Sequence, residues 1–474
     1  MRRTKNTFAI LIFFFFFLAI VPAVLADREY QIAKIMQETE AQSFSYEYIK
    51  DLRKKISEEK YEAIPKIGEK FALRQSGTLK NETAYRVSSP RQFTKIKNQL
   101  ILSEAGKISD ALSFKLSGRF YYDAVFNLTH SFPANVKSDQ RSELELRDTF
   151  IDYSYGPWDI RLGKQQIVWG EAVALFFADV VNAKDLREFI LPDFDLIRIP
   201  EWASDIEYSK ENFHAEFVWL PAPQFNKLGV TNAEFAFPYP IPTPTTAFTT
   251  KDASRPKNAL DNSELGIRLS CLLSGWDIGA FYLHTWDKSP VNFRSIQSGV
   301  FNFFPQYKRL EIIGATLAKE IKEAVLKGEF VFNKDSYFSI FDNTDIDGVV
   351  RRNFIDYLLG LDYTFFDKVD TNLQFMQRAI FNHTNLLADN ENKFNNSLSF
   401  RIKTDFLNGK LEPEFLIIAS LMEPDFLYRP KISLKIKNNW RLRFGADIFQ
   451  GDASGLFGRF DKKSRIYSEV IYDF

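Results

Sequence analysis

From about residue 74 onward, polar and apolar residues alternate along most of the chain with a period of two. Successive side chains of a β-strand point to opposite faces, so each alternating stretch predicts a strand with one polar and one apolar face. The alternation is clearest over residues 114–126, 355–365, 397–403, 431–437 and 440–448. The pattern therefore predicts an all-β protein from this point to the C-terminus.

The last ten residues, 465–474, repeat this pattern and end on an aromatic residue. The apolar face of this segment would carry Ile466, Val470, Tyr472 and Phe474, and the polar face Arg465, Glu469 and Asp473. In a bacterial membrane barrel the apolar face of each strand meets lipid and the polar face meets a wet interior. We expect this segment to be the strand that closes such a barrel.

The connections between the predicted strands alternate between short and long. Short ones are centred on residues 155–157, 209–212, 274–275, 366–368, 408–409 and 437–439. Long ones cover residues 130–142, 170–199, 221–260, 287–305, 335–350, 382–392 and 450–462. Short turns at one end and long loops at the other favour a membrane barrel over a soluble sandwich, whose polar face would be its outside.

The number of strands follows from these connections. Counting gives about 18 strands, with about 16 as the main alternative because segments 200–209 and 211–220 are short. Strands ~4.8 Å apart and tilted by ~40° would form a cylinder with a backbone radius of roughly 18 Å. Side chains cannot fill a cylinder of that size, so its lumen holds water or is obstructed by a loop.

The aromatic content is high, since 48 Phe, 19 Tyr and 7 Trp make up 16% of the 474 residues. Aromatic girdles at the two membrane interfaces of a barrel need such residues. A helical membrane protein would instead need repeated apolar runs of about 20 residues. Only one such run exists, from Phe8 to Ala26. We therefore predict a transmembrane antiparallel β-barrel over residues 73–474.

The N-terminus has the features of a secretory signal. Basic residues at positions 2, 3 and 5 precede an apolar stretch with five consecutive phenylalanines, and small residues follow up to Ala26. We expect cleavage after Ala26, with an uncleaved anchor as the alternative. Export of a barrel predicts a place in the outer membrane of a Gram-negative bacterium, in contact with lipid and lipopolysaccharide.

Residues 27–72 have a different pattern from the barrel. Apolar residues such as Ile32, Met36, Phe44, Tyr48 and Leu52 fall at near-helical spacing among Glu and Lys residues. This predicts a short amphipathic helical segment on the periplasmic side. It would either rest against the barrel mouth or serve as a partial plug or a docking surface for a periplasmic partner.

The third long connection, residues 170–199, is unusually apolar for a surface loop. An exposed loop of this composition would be costly, so we expect it to fold inward against the barrel wall. The alternative is an extracellular helical cap. The loop's candidate constriction residues are Glu171, Asp179, Lys184, Asp185, Arg187, Glu188, Asp193, Asp195 and Arg198. Candidate residues of the lumen wall are Arg119, Arg161, Gln165, Arg401, Arg441 and Arg443. Their mixed sign predicts a transverse field and modest selectivity.

The segment that leads into this loop carries a recognisable motif, formed by Gly163, Lys164, Gln165, Trp169, Gly170 and Glu171. Together with segments 177–182 and 185–188, it resembles a bacterial outer-membrane porin-like family of unknown function. That family is marked by a Gly-[Arg/Lys]-Gln-x-x-x-Trp-Gly-Glu strand end. Lys164 stands where arginine is usual, and Ala183 where proline is expected. The resemblance implies an outer-membrane barrel and supplies no substrate.

Motifs of other protein classes are not found in the sequence. The four histidines, at positions 130, 214, 284 and 383, have no metal-ligand spacing, and no Gly-x-Ser-x-Gly or phosphate-binding loop occurs. Cys271 is the only cysteine, so an intramolecular disulfide is excluded. The 61 basic and 61 acidic residues form no basic stripe. We therefore expect no enzyme activity, no cofactor, no metal and no nucleic-acid partner.

These patterns together predict a porin-like channel. A small solute, hydrophobic or amphipathic in view of the apolar loop, would pass through its constricted lumen. The alternative is an outer-membrane component that docks with an inner-membrane or periplasmic export system through residues 27–72.

Overall fold

The computed structural model describes residues 72–170, 177–237, 247–342, 344–388 and 391–474. The predicted signal peptide, the predicted helical segment up to residue 71, and Glu171 lie outside the described residues. Among the residues that are described, no helix is both long enough and apolar enough to cross a membrane.

Eighteen antiparallel strands form one closed barrel, which confirms the predicted fold class. Numbered in chain order, these strands are β1 Ala72–Arg86, β2 Gln92–Lys107, β3 Leu112–Asp123, β4 Ser142–Tyr155, β5 Trp158–Gln165, β6 Glu201–Lys210, β7 Phe213–Leu220, β9 Glu264–Leu273, β10 Trp276–Trp286, β13 Arg309–Ile321, β14 Ala324–Ser339, β15 Val349–Phe365, β16 Val369–Ile380, β17 Phe394–Thr404, β18 Leu411–Ser420, β19 Asp425–Lys437, β20 Trp440–Gly451 and β21 Arg465–Asp473. Since β6 and β7 are both barrel strands, the alternative of 16 strands is excluded.

The barrel closes between its first and last strands. β1 pairs with β21 from Thr78 opposite Asp473 to Arg86 opposite Arg465. The pairing continues to the last residue, because the backbone N–H of Gly77 donates to the carbonyl of Phe474 at 2.7 Å. No edge of the sheet is left unpaired along this seam, which a structure inside lipid requires.

The two ends of the barrel differ in the length of their connections. At the short end the turns include residues 156–157, 211–212, 274–275, 322–323 and 438–439. At the long end the connections are L1 87–91, L2 124–141, L3 166–200, L4 221–263, L5 287–308, L6 340–348, L7 381–393, L8 421–424 and L9 452–464. L6 is shorter than the connection predicted at 335–350. A bulge in β14 near Asp335, which has a φ of 57°, lets the strand continue to Ser339.

The strands place mainly apolar residues outside and mainly polar residues inside, although the inner face also carries buried apolar residues such as Phe281 and Leu283. On the closing strand, Ile466 and Phe474 are both 52% exposed on the outer face, whereas Arg465 and Glu469 are buried in the lumen. Leu79 and Phe120 show the same outward placement on neighbouring strands. This is the alternation of a membrane barrel, with a wet interior and an apolar exterior.

The long-end connections contain some regular structure that the sequence pattern did not predict. A three-stranded sheet joins L4 and L5, and its strands are β8 Phe248–Thr250, β11 Arg294–Gln297 and β12 Val300–Phe303. Short helices are α1 Val125–Leu128, α2 Ala134–Gln140 and α3 Phe194–Ile197, with 3-10 turns at Leu260–Asn262 and Gly458–Lys463. These strands and helices are too short to show a period in the sequence.

Candidate functional site

L3 turns into the lumen at its first residues. The indole of Trp169 is only 1% exposed, and its Nε1–H donates to Glu216 of β7 at 2.9 Å. Its ring centroid lies 5.2 Å from that of Phe281 on β10. A Cβ on Gly266 of β9 would lie 2.6 Å from this indole, so a glycine is required for the close approach. The start of L3 is therefore packed against the inner wall.

A carboxylate of the barrel wall holds the part of L3 that begins at Phe177. Glu329 of β14 accepts hydrogen bonds from the backbone N–H groups of Phe177 at 2.7 Å and Ala178 at 2.9 Å. The side chain of Asn182 bridges back to Ile167, accepting from its N–H at 3.3 Å and donating to its carbonyl at 2.6 Å. These bonds fix the path of the loop beside β14.

The middle of L3 reaches the wall on the β1–β2 side of the barrel. The carboxylate of Glu188 forms ion pairs with Lys95 and Lys97 of β2. Lys95 also donates to Glu82 of β1 at 2.8 Å. Burial opposes ionisation of Glu188, but the two ammonium groups hold the pKa of this carboxyl well below its usual value. L3 thus carries a charged contact with this wall.

The next residues of L3 contact the wall at β19 and β20. Arg429 donates to the carbonyl oxygens of Ile190 at 3.3 Å and Leu191 at 2.6 Å, and its Nε–H donates to Asp447 at 2.9 Å. Phe189 packs in a cluster of phenylalanines from β20, L4 and L9. The other members of this cluster are Phe235, Phe237, Phe449, Phe457 and Phe460.

On its way back to β6, L3 is bound by two arginines. Arg147 of β4 donates to the carbonyls of Asp195 and Arg198, the latter at 2.9 Å. Arg119 of β3 donates to the carbonyl of Leu196 at 3.5 Å and pairs with Glu145 at 2.8 Å. L3 therefore contacts β2, β3, β4, β14, β19 and β20, which surround the lumen, so the loop crosses it and narrows it.

The charged residues predicted on L3 divide into three groups. Asp179, Lys184 and Arg198 pair mainly with one another: Arg198 donates to Asp179 at 3.0 Å, and Lys184 to the Asp179 carbonyl at 2.8 Å. Asp185 and Arg187 form a second group, in which Arg187 bonds Asp185 and also Glu143 of β4 at 2.6 Å.

The third group contains the residues that face the lumen or its walls. Glu188 binds the β2 lysines, and Asp193 lies 3.5 Å from Arg443 with its side chain 58% exposed. The side chain of Asp195 is 90% exposed and lies 3.3 Å from Arg198. Among the predicted loop residues that the structure describes, Asp193 and Asp195 have exposed side chains, and Glu188, Asp185 and Arg187 line a cavity beside the wall.

The predicted wall residues all lie on the inner face, and the five arginines have acidic partners. The pairs are Arg119 with Glu145, Arg161 with Asp152, Arg401 with Glu414, Arg441 with Asp473, and Arg443 with Glu469. Gln165 is fully buried and its amide donates to the carbonyl of Ala203 at 3.3 Å. Of the motif residues, Gly163 has a φ of 137° and lies against the backbone of Phe150, where a Cβ would clash. Lys164 is half-buried. A Cβ added to Gly170 would lie 3.1 Å from the backbone nitrogen of Asp179.

A cavity of about 60 Å³ lies between L3 and the inner wall of β1–β3, with L2 and L4 at its edges. Its charged lining includes Lys80, Lys95, Lys97, Arg119, Arg187, Glu82 and Glu188. Its apolar lining includes Phe126, Phe235, Pro192, Leu196 and Ile197. The cavity can therefore contact both a charged group and an apolar group of one small molecule.

The charges of the lumen wall are distributed unevenly around the barrel. β6 and β18 face each other, since eight strands separate them in either direction. On and beside β18 lie Arg401, Lys403, Lys431 and Lys435, with Glu412 and Glu414 between them. On β6 and β7 lie Asp205, Glu207 and Glu216. A basic region thus faces an acidic one across the lumen.

Several residues that hold L3 were not predicted from the sequence. They are Lys95, Lys97, Glu329, Arg147 and Arg429. Their only signal was the period-two pattern, which places them on the polar face of a strand. Nothing local in the sequence distinguishes a wall residue that contacts the loop from one that contacts water.

A family described as "Protein of unknown function (DUF1302)" matches residues 91–462. No curated protein matches the sequence. Among solved structures, the chain is similar to OccAB1 of Acinetobacter baumannii, with a TM-score of 0.51 and 8% identity over 85% of this chain and 96% of that one. This similarity supports the porin-like barrel fold.

Two other solved structures have lower TM-scores. OccK2 (OpdF) of Pseudomonas aeruginosa, in complex with glucuronate, has a TM-score of 0.48 and 9% identity over 85% of this chain and 97% of that one. OmpF of Salmonella typhi, in complex with daunomycin, has a TM-score of 0.42 and 11% identity over the same shares of the two chains.

Proposed function

The chain belongs to the family described as proteins of unknown function (DUF1302), and we propose that it is a channel of the Gram-negative outer membrane. In this proposal a small solute crosses passively through a lumen that L3 constricts. A closed barrel with an apolar exterior suits a lipid environment, and a polar interior suits an aqueous path.

The observation that carries this proposal is the course of L3 through the lumen. The loop is held by Glu329 at one wall, by Lys95 and Lys97 at another, and by Arg429 at a third. A loop held at several walls sets the width of the path and places its own charges beside the solute. A cap that rested on the outside of the mouth would not need lumen-facing partners.

The nature of the solute is proposed from the lining of the path. The cavity beside L3 combines lysine and arginine side chains with Phe126, Phe235 and Leu196. Such a lining fits an amphipathic solute that has both a charged or polar group and an apolar portion. The basic region around β18 and the acidic region on β6 and β7 would produce a transverse field, which orients a dipolar solute during passage.

The test is conductance in planar bilayers. The full-length protein and a variant that lacks residues 171–199 are refolded and inserted under the same conditions. We expect discrete conductance steps from the full-length protein and larger steps from the variant, because L3 occupies part of the lumen. Absence of conductance from both proteins, with folded barrels confirmed by circular dichroism, contradicts the channel proposal.

Membrane location is tested separately. The protein is expressed with its own N-terminus in a Gram-negative host, and the inner and outer membranes are separated by density. We expect the protein in the outer-membrane fraction in a form that resists unfolding by detergent until it is heated. Recovery in the inner-membrane fraction contradicts the proposed location.

A further inference from the structure

Two glutamates face each other directly across neighbouring strands of the lumen wall. Glu207 of β6 is the register partner of Glu216 of β7, and Asp205 lies two residues before Glu207 on the same face. Like charges in directly opposite positions are destabilising unless a positive group lies between or beside them. We call Asp205, Glu207 and Glu216 the acidic wall site.

Asp205 is the residue of this site that lacks a partner. It is 5% exposed, and among the described residues its side chain has no hydrogen bond and no ion pair. Arg161 lies opposite Asp205 in register, but its guanidinium binds Asp152 at 2.6 Å. The Oε1 atom of Gln165, on the adjacent strand, is also buried without a hydrogen bond. Both of these buried oxygen atoms can accept a hydrogen bond.

The basic groups near the site do not balance it. His214 lies 2.9 Å from Glu207, and the Trp169 N–H donates to Glu216. Arg268 of β9 lies opposite Glu216 in register. With Asp152 included, this region holds four carboxylates, and the arginines beside them are Arg161 and Arg268. A buried carboxylate without a partner is costly, and a cation at this position would remove that cost.

We propose that the acidic wall site binds the primary ammonium group of a solute during its passage through the lumen. An ammonium group has three donors and no acceptor, which suits the unpartnered carboxylate of Asp205 and the neighbouring carboxylates of Glu207 and Glu216 on the same inner face. This inference rests on the proposed channel, because the lumen is the route by which the solute arrives.

The test uses 1,5-diaminopentane as the probe and the full-length protein in detergent and in bilayers. Calorimetry measures its binding to the wild type and to Asp205→Asn, and conductance measures its block of the current. Asp205→Asn keeps the size of the side chain and removes its charge. Loss of one charge-assisted hydrogen bond predicts about tenfold weaker binding and block.

The matched control is Asp362→Asn, since Asp362 is a lumen carboxylate on β15 that pairs with Lys327 at 2.7 Å. We expect this control to bind the amine as the wild type does. An equal loss in both variants, or no loss in Asp205→Asn, overturns the proposal. If Asp205→Asn does not fold, Glu207→Gln replaces it with the same expected weakening.

The two proposals fail in different ways. A protein that binds the amine through Asp205 but does not conduct supports the acidic wall site and contradicts the channel. A protein that conducts but shows neither binding nor block by the amine supports the channel and overturns the acidic wall site.

Discussion

Glu188 of L3 forms an ion pair with Lys95 of β2, a residue that precedes it by 93 positions in the chain. Lys95 also binds Glu82 of β1, and Glu82 lies 3.5 Å from Arg465 of β21. The contact therefore joins the loop to the three strands on either side of the seam where the barrel closes. The ion pair between Glu188 and Lys95 also lines one side of the cavity between L3 and β1–β3.

Replacement of Glu188 by glutamine should loosen L3. The change leaves Lys95 and Lys97 without the carboxylate they share, in a region where both are largely buried. Removal of one partner of a partly buried ion pair should cost about 2–3 kcal/mol. We expect a lower midpoint of urea unfolding and larger fluctuations of the open-channel current.

The matched control for this prediction is Asp195→Asn on the same loop. Its side chain is 90% exposed, so loss of its charge should change neither stability nor current noise measurably. Equal effects of the two substitutions would show that the total charge of L3, and not the contact with β2, is responsible.

The Glu188 contact should persist in mild acid. The pKa of this carboxyl is held well below its usual value, so the ion pairs contribute stability above that usual value and lose it only as the pH falls through the lowered pKa. We expect the difference in unfolding midpoint between the wild type and Glu188→Gln to be constant between about pH 7 and pH 5, and to disappear only well below pH ~4.3, the ordinary glutamate pKa. Measurement of the midpoint against pH for both proteins checks this, because the carboxyls that the two proteins share cancel in the difference.

Gly266 should be required for the position of Trp169. A Cβ at Gly266 would lie 2.6 Å from the indole and 3.0 Å from Leu283, so alanine must displace the ring. Overpacking of this kind costs about 1–3 kcal/mol. We expect Gly266→Ala to lower the unfolding midpoint and to alter the conductance, because Trp169 packs the first residues of L3 against the wall.

Gly118→Ala on β3 is the control for that substitution. Its Cβ would meet only the carbonyl oxygen of Glu145, at 3.8 Å, which is an ordinary contact. We expect its stability and conductance to match the wild type. Wild-type behaviour of Gly266→Ala would contradict the tight packing described for Trp169.

Cys271 provides a chemical test of the two barrel faces. It is exposed on the outer face of β9, whereas the adjacent Ser270 points into the lumen beside His214. In bilayers we expect Cys271 to react slowly with a charged thiol reagent, because lipid excludes the reagent and disfavours the reactive thiolate. The paired variant Cys271→Ser with Ser270→Cys should react much faster, because its thiol faces the wet lumen. Equal reaction rates of the two proteins would contradict the assignment of the faces.

The sequence by itself determined the barrel. Every membrane strand must place one face in lipid and the other toward water, so a period of two recurs in each strand and can be read locally. For the same reason the inward direction of Arg119, Arg161, Arg401, Arg441 and Arg443 followed from their neighbours. The apolar composition of L3 also predicted that the loop would bury itself, because exposed apolar surface is costly.

Only the tertiary structure decided which wall residues hold L3 and which charges remain available to a solute. Arg429 and Leu191 are 238 residues apart in sequence, and Glu329 and Ala178 are 151 apart. Such pairs are set by the closure of the barrel, which brings distant strands around one loop. Asp179, which looked like a pore charge, is instead buried against Arg198, and Asp205 has no partner among the residues that the structure describes. A pattern along one strand contains no information about what lies across the lumen.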